Sequence, residues 1–264
     1  MLRLPRFPFP WTARIAASGA LLALFMARAI LAASSPVPPP ATPDGPMKPF
    51  TAQALVRLER ISDPRLSPDG TRLAYQLRET DYAANKGVSS LWLRPLDGPP
   101  TSPRRLTAAG AEGSAPRWSA DGRSLYFLSK RSGSTQVWRL DLAGGEAQPV
   151  TRAPLDIGSY MLSPDGRRLL VSMEVYPDCD TLPCTRRRLD ERAAQKRSGQ
   201  LYERLFIRHW DSWSDGTRAQ LFVYALDKEG SATGEPAWIT RGIDGDVPSK
   251  PFGCLLYTSP SPRD

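Results

Sequence analysis

An all-β fold, a β-propeller fragment of three to four blades with a partly helical insertion, is predicted by three observations. The first is a turn signal in three copies: Ser67-Pro-Asp-Gly70, Ser119-Ala-Asp-Gly122 and Ser163-Pro-Asp-Gly166, whose starts lie 52 and 44 residues apart. In each copy Asp can bond the backbone ahead of it and Gly accepts positive φ, and Pro fixes φ in the first and third, so each closes two antiparallel strands. The second is the stretch after each turn, Arg72-Leu-Ala-Tyr-Gln-Leu77, Arg123-Ser-Leu-Tyr-Phe-Leu128 and Arg167-Arg-Leu-Leu-Val-Ser172, which reads as a strand with one or both faces buried. The third is an aromatic strand with a closing threonine, Leu91-Trp-Leu-Arg-Pro-Leu96 with Thr107, then Val137-Trp-Arg-Leu-Asp-Leu142 with Thr151. One such turn is common by chance; three in matched context, 40 to 50 residues apart, mark a small sheet that buries its faces only against copies of itself. The 27 Pro and 20 Gly, spread along the chain, agree with many short strands.

The elements follow in order. Residues 1–34 read as a signal peptide: Arg3, Arg6 and Arg14 form a basic leader, Ile15 to Ala27 is apolar, and Leu31-Ala-Ala-Ser34 offers small residues for cleavage. A secreted or periplasmic product is expected, with no stable membrane span, and an uncleaved N-terminal anchor is the alternative. Residues 35–49, with seven prolines, form an extended linker. The propeller fragment is expected over 50–253. Gln220-Leu-Phe-Val-Tyr-Ala-Leu226 and Ala237-Trp-Ile-Thr240 read as the aromatic strand and closing threonine of a fourth copy beginning after an insertion at 176–218, so blade three is the interrupted one. Within that insertion, 187–205 is rich in helix formers. Residues 254–264, beginning Cys254-Leu-Leu-Tyr257, resemble a translated sequencing adapter, a non-native tail, so the gene is expected to continue past Gly253.

Charge and motif content exclude several functions. The formal charge of +8 falls to +4 once the four leader arginines are removed. The remaining basic residues are scattered without a stacking aromatic stripe, so no nucleic-acid partner is expected. Arg186, Arg187 and Arg188 are answered by Asp190 and Glu191, a solvated face. Cys179 and Cys184 bracket four residues; an oxidising compartment admits a local disulfide there, and free thiols are the other state open to them. The single histidine, His209, lies between aromatic residues and reads as a structural group. One histidine and two close cysteines form no zinc set, no Gly-rich phosphate loop occurs, and no Gly-x-Ser-x-Gly presents a nucleophile. No catalytic, cofactor-binding or metal-ligating residue is therefore assigned, and no cofactor is expected.

Phe50-Thr-Ala-Gln-Ala-Leu55, Ser62-Asp-Pro-Arg-Leu-Ser-Pro-Asp-Gly70 and Arg208-His-Trp-Asp211 with Trp213, Asp215 and Gly216 resemble secreted serine peptidases of the prolyl oligopeptidase class. The similarity is greatest to dipeptidyl aminopeptidases and acylaminoacyl peptidases, and covers residues 48–253. The Ser-Pro-Asp-Gly turns are shared with propellers of the TolB type; the Arg-His-Trp-Asp segment discriminates better. The resemblance implies a propeller of about seven blades that screens peptide substrates for an α/β-hydrolase domain, a domain this chain lacks. Relatives bind a peptide's free amino group through acidic propeller residues; Asp190, Glu191 and Glu203 are acidic groups of the insertion and read as solvated helix charges. A non-catalytic propeller of the TolB type, binding protein partners, is the rival reading.

Overall fold

The computed structural model of the protein describes residues 49–98, 102–108, 110–196, 199, 201–202, 208–209 and 212–247. The expected signal peptide and the tail at 254–264 lie outside the described residues, as does the linker up to Lys48. A short helix α1 (Ala52–Arg57) opens the described chain, capped by Thr51, whose hydroxyl accepts from the Ala54 amide at 3.2 Å.

Three four-stranded antiparallel sheets follow, each a meander. Blade one is β1 (Arg60–Leu66), β2 (Arg72–Asp81), β3 (Lys86–Pro95) and β4 (Arg104–Arg105). Blade two is β5 (Ser114–Trp118), β6 (Ser124–Ser129), β7 (Gln136–Asp141) and β8 (Gln148–Pro149). Blade three takes β9 (Ile157–Leu162) and β10 (Arg168–Val175), passes through the insertion, and is completed by β13 (Arg218–Leu226) and β14 (Ala232–Trp238). The insertion carries helix α2 (Leu182–Ala194) and a small hairpin, β11 (Arg208–His209) with β12 (Ser212–Trp213).

The aromatic strand at 220–226, which the sequence marks as a copy beginning after the insertion that interrupts blade three, is the third strand of that blade. It pairs with β10 along its whole length, from Arg168 opposite Ala225 to Val175 opposite Arg218. The pairing spans the insertion, because antiparallel partners need closeness in space and not in sequence. The insertion accordingly ends at Thr217, since Arg218 already belongs to β13. Its helix starts five residues before the helix-former run, because Thr181 caps it and Pro183 occupies its first turn, where the missing N–H costs nothing.

Each turn signal folds into the same hydrogen-bonded ring between the first two strands of its blade. The hydroxyls of Ser67, Ser119 and Ser163 donate to Asp69, Asp121 and Asp165 at 2.5, 2.6 and 2.5 Å. Each hydroxyl oxygen accepts the amide of the residue five along, Arg72, Ser124 or Arg168, at 2.9 Å. Gly70, Gly122 and Gly166 turn the chain at φ 72°, 68° and 67°, a conformation that a Cβ disfavours.

A second repeated device closes the blade's outer side. In blade two the buried Gln136 accepts from the Thr151 hydroxyl (2.8 Å) and the Ala153 amide (2.9 Å), and donates to the carbonyls of Ala153 and Leu155. Thr151 in turn accepts the Val137 amide at 3.0 Å. Blade three repeats this with Gln220, Thr240 and Leu221. Blade one keeps Thr107, which accepts the Leu91 amide at 3.2 Å, and replaces the glutamine by Ser90.

The blades stack through alternating side chains. Leu125 and Phe127 of β6 meet Ala74, Leu91 and Leu93 of blade one, while Tyr126 and Leu128 meet Leu169, Val171 and Phe222 of blade three. All six residues of β6 are buried. Polar contacts cross the same seams: Arg72 donates to the Gly122 carbonyl (2.8 Å), the Trp118 indole to the Arg65 carbonyl (2.9 Å), and Tyr160 to the Ala115 carbonyl (2.7 Å). On the far face of blade three, Met161 and Ile239 stay exposed.

The turn rings make stability depend on acid. The Ser67 hydroxyl and the Thr71 amide hold the Asp69 carboxyl down to about 2, and Asp121 and Asp165 are lowered by the same two donors at their turns. A carboxyl depressed in the folded state stabilises above its unfolded value of about 3.9 and loses that contribution as pH falls through its folded value. The urea midpoint of the chain is therefore expected to drop more between about pH 5 and pH 2 than that of the triple variant Asp69→Asn, Asp121→Asn, Asp165→Asn. Equal acid sensitivity of the two would contradict this origin.

Candidate functional site

The insertion is the part of the fold not dictated by the repeat, and α2 is fastened to blade three at several points. Cys179 and Cys184 form a disulfide, with Cα atoms 5.7 Å apart, across the helix start. Thr185, fully buried, accepts the Tyr176 amide at 3.3 Å, and Leu182 is buried in the core shared by blades two and three. The Arg188 guanidinium lies 4.3 Å from the Tyr176 ring centre and donates to both Asp178 carboxylate oxygens at 2.7 Å, which holds that carboxyl below its usual range. Arg192 donates to the Asp215 carbonyl at 2.6 Å, and Arg241 pairs with Asp180.

The acidic residues of the insertion do not gather into one site. Asp190 is bonded to Arg186 one helical turn earlier, which lowers its pKa, as for a helix-surface pair. Glu191 is exposed, and Glu203 lies outside the described residues. His209 sits on β11 opposite Ser212, and its side chain is outside the described residues. Trp213, 56 % exposed, stacks with Tyr202 at 5.9 Å and carries the Arg208 guanidinium at 5.1 Å. This makes a cationic aromatic surface on the hairpin, where a peptide side chain or proline ring could stack.

A second polar assembly lies on the first strands of blades one and two. Asp63, with φ at 48°, takes Arg65 at 2.6 Å and Arg117 at 2.6 Å, and Arg117 also donates to the Pro116 carbonyl. The equivalent position in blade two, Ala115, has φ at 53°, and both are followed by proline at a break in strand register. Backbone in this region is costly for residues with a Cβ and is held by surrounding structure. Here the holding is visible: the ion pair binds the first bulge to blade two, and Tyr160 bonds the second, its phenol pushed far up by burial. The repeated Ser-x-Pro-Arg at 62–65 and 114–117 was the sequence signal for these bulges. The arrangement positions backbone, and among the described residues no group of three or more His, Cys, Asp or Glu could hold a metal ion.

The disulfide's role is local. Closing so short a loop contributes about 2 kcal/mol in the chain-entropy account, and the helix keeps its other anchors. Replacing both cysteines, Cys179→Ser with Cys184→Ser, is expected to speed tryptic cleavage at Arg186 to Arg188 several-fold and to lower the global urea midpoint by at most about 1 M. Cleavage at the unaltered rate would show that the disulfide does not hold α2.

Comparison with known proteins places this architecture. The TolB beta propeller domain family matches residues 55–182. The uncharacterized peptidase YuxL of Bacillus subtilis is 32% identical over 127 residues, 48% of this chain and 19% of that protein. Dipeptidyl-peptidase 5 of Porphyromonas gingivalis is 27% identical over 246 residues, 90% of this chain and 33% of that protein. The solved acylaminoacyl peptidase of Pyrococcus horikoshii superposes with a TM-score of 0.49 at 20% identity, over 69% of this chain and 25% of that one. The chain thus spans between about a fifth and a third of the length of these two curated relatives. Residues 55–182 match the TolB beta propeller domain family, and the chain is similar to the N-terminal propeller region of S9-family (prolyl oligopeptidase) peptidases.

Proposed function

We propose that this chain is the substrate-screening propeller of a secreted serine peptidase that hydrolyses short peptides, joined in the whole protein to an α/β-hydrolase domain that carries the catalytic residues. The observation that carries the reading is the reach of the similarity. The TolB family match ends at residue 182, where α2 begins. An alignment covering 90% of the chain with a dipeptidyl-peptidase cannot avoid the insertion at 176–217. That span supports reading the insertion as a feature of the peptidase relatives added to a TolB-type blade.

Export supports the same reading. The leader at 1–34 sends the chain to an oxidising compartment, and the Cys179–Cys184 disulfide is the kind of bond that persists there. Among the described residues no helix is long and apolar enough to cross a membrane. The partners are then peptides, met through the full-length protein. The family match itself favours a second reading, a TolB-like propeller that binds protein partners without catalysis.

Reading the source gene beyond the Gly253 codon separates the two. The peptidase reading expects the frame to continue through further blades into a Gly-x-Ser-x-Gly with Asp and His downstream, and the expressed product to react with a fluorophosphonate and cleave dipeptidyl substrates. A frame that stops once the propeller closes contradicts it and leaves the binding module.

A further inference from the structure

Between blades two and three, beside β8 and β14, lies an open cleft of about 420 Å³, which falls within the range of small-ligand sites. Its walls differ in charge. Blade two supplies Arg139 from β7 and Arg152 just beyond β8, whereas blade three supplies Glu229 from the β13–β14 turn and Glu235 from β14. Among the described residues no ion pair or hydrogen bond engages any of these four side chains. The walls are nonetheless close: a Cβ on Gly230, next to Glu229, would fall 2.9 Å from Arg139 Nη1.

Tyr224 adds a donor. Its side chain is 5% exposed and lines the cleft, and its hydroxyl bonds to no described residue. The ring is buried while the hydroxyl is not among the buried atoms that lack a partner, so it opens on the cleft and is available to a ligand. Burial first, and the Glu235 carboxylate second, push its pKa up to about 12, so it remains a protonated donor at neutral pH.

We infer that this cleft binds a short zwitterionic peptide of roughly two or three residues, the size such a volume admits. Its carboxylate lies on Arg139 and Arg152, its ammonium on Glu229 and Glu235, and a backbone carbonyl accepts from Tyr224. Walls of opposite charge suit a ligand with both charges over one carrying a single charge, because only the former meets a complementary group on each side.

The test titrates trialanine into the full chain, fused to a soluble carrier, with the carrier alone as blank. Saturable binding is expected, with N-acetyl-trialanine and trialanine amide each weaker by about tenfold, the loss of one charge-assisted contact. Tyr224→Phe, which keeps the ring packed, is expected to weaken trialanine about fivefold, and so is the exposed variant Glu235→Gln, which leaves the core untouched. No saturable binding up to about 10 mM overturns the proposal. Binding that is indifferent to end-blocking, or to both variants, overturns it equally.

Discussion

A four-stranded sheet of these short strands has two faces and no means of covering either by itself, and the rest of the structure follows from that constraint. Alternation along β6 answers it by sending Leu125 and Phe127 one way and Tyr126 and Leu128 the other, so blade two is sandwiched and its central strand fully buried. Each such side chain contributes about 1.5–3 kcal/mol on burial, and only where a neighbouring blade stands opposite. The arginines and tyrosines at the seams do not supply that energy; they set the angle and height at which one blade meets the next.

Within a blade, regularity comes from two local networks and not from strand propensity alone. The Ser-Asp-Gly ring uses an exposed carboxylate to order a turn, and the Gln-Thr clamp uses a buried amide to tie the third strand to the chain that leaves the blade. Blade one lacks the glutamine and relies on Ser90, which bonds the Leu77 carbonyl and the Trp92 indole. The chain between β10 and β13 can lengthen without disturbing the sheet, because the two strands that flank it are held by eight paired residues. That is how a helix, a disulfide and a hairpin come to be carried on one blade.

Much of this was legible in the sequence, and the boundary has a physical cause. The turns at 67, 119 and 163, the aromatic strands and the closing threonines Thr107 and Thr151 are local patterns, so they could be read directly. That 176–218 interrupts blade three was legible as well, whereas the residue-by-residue pairing of 220–226 with β10 was not, since it spans more than forty residues of insertion. Gln136 and Gln220 were overlooked although each stands directly before its strand's hydrophobic run; a polar residue in an otherwise apolar strand is the mark of a buried clamp. The candidate sites were less legible still. Arg139 and Arg152 face Glu229 and Glu235 only after two blades stack, and nothing in their spacing announces it.

Blade stacking, and not any blade alone, supplies the stability. Native-state hydrogen exchange measures this directly, because amide protection reports the free energy of local opening. The account predicts that amides of β6, covered on both faces, exchange more slowly than those of β2 and β10 by at least an order of magnitude. Equal protection in the three blades, or greatest protection in blade three, would show that each sheet is stable by itself and would contradict it.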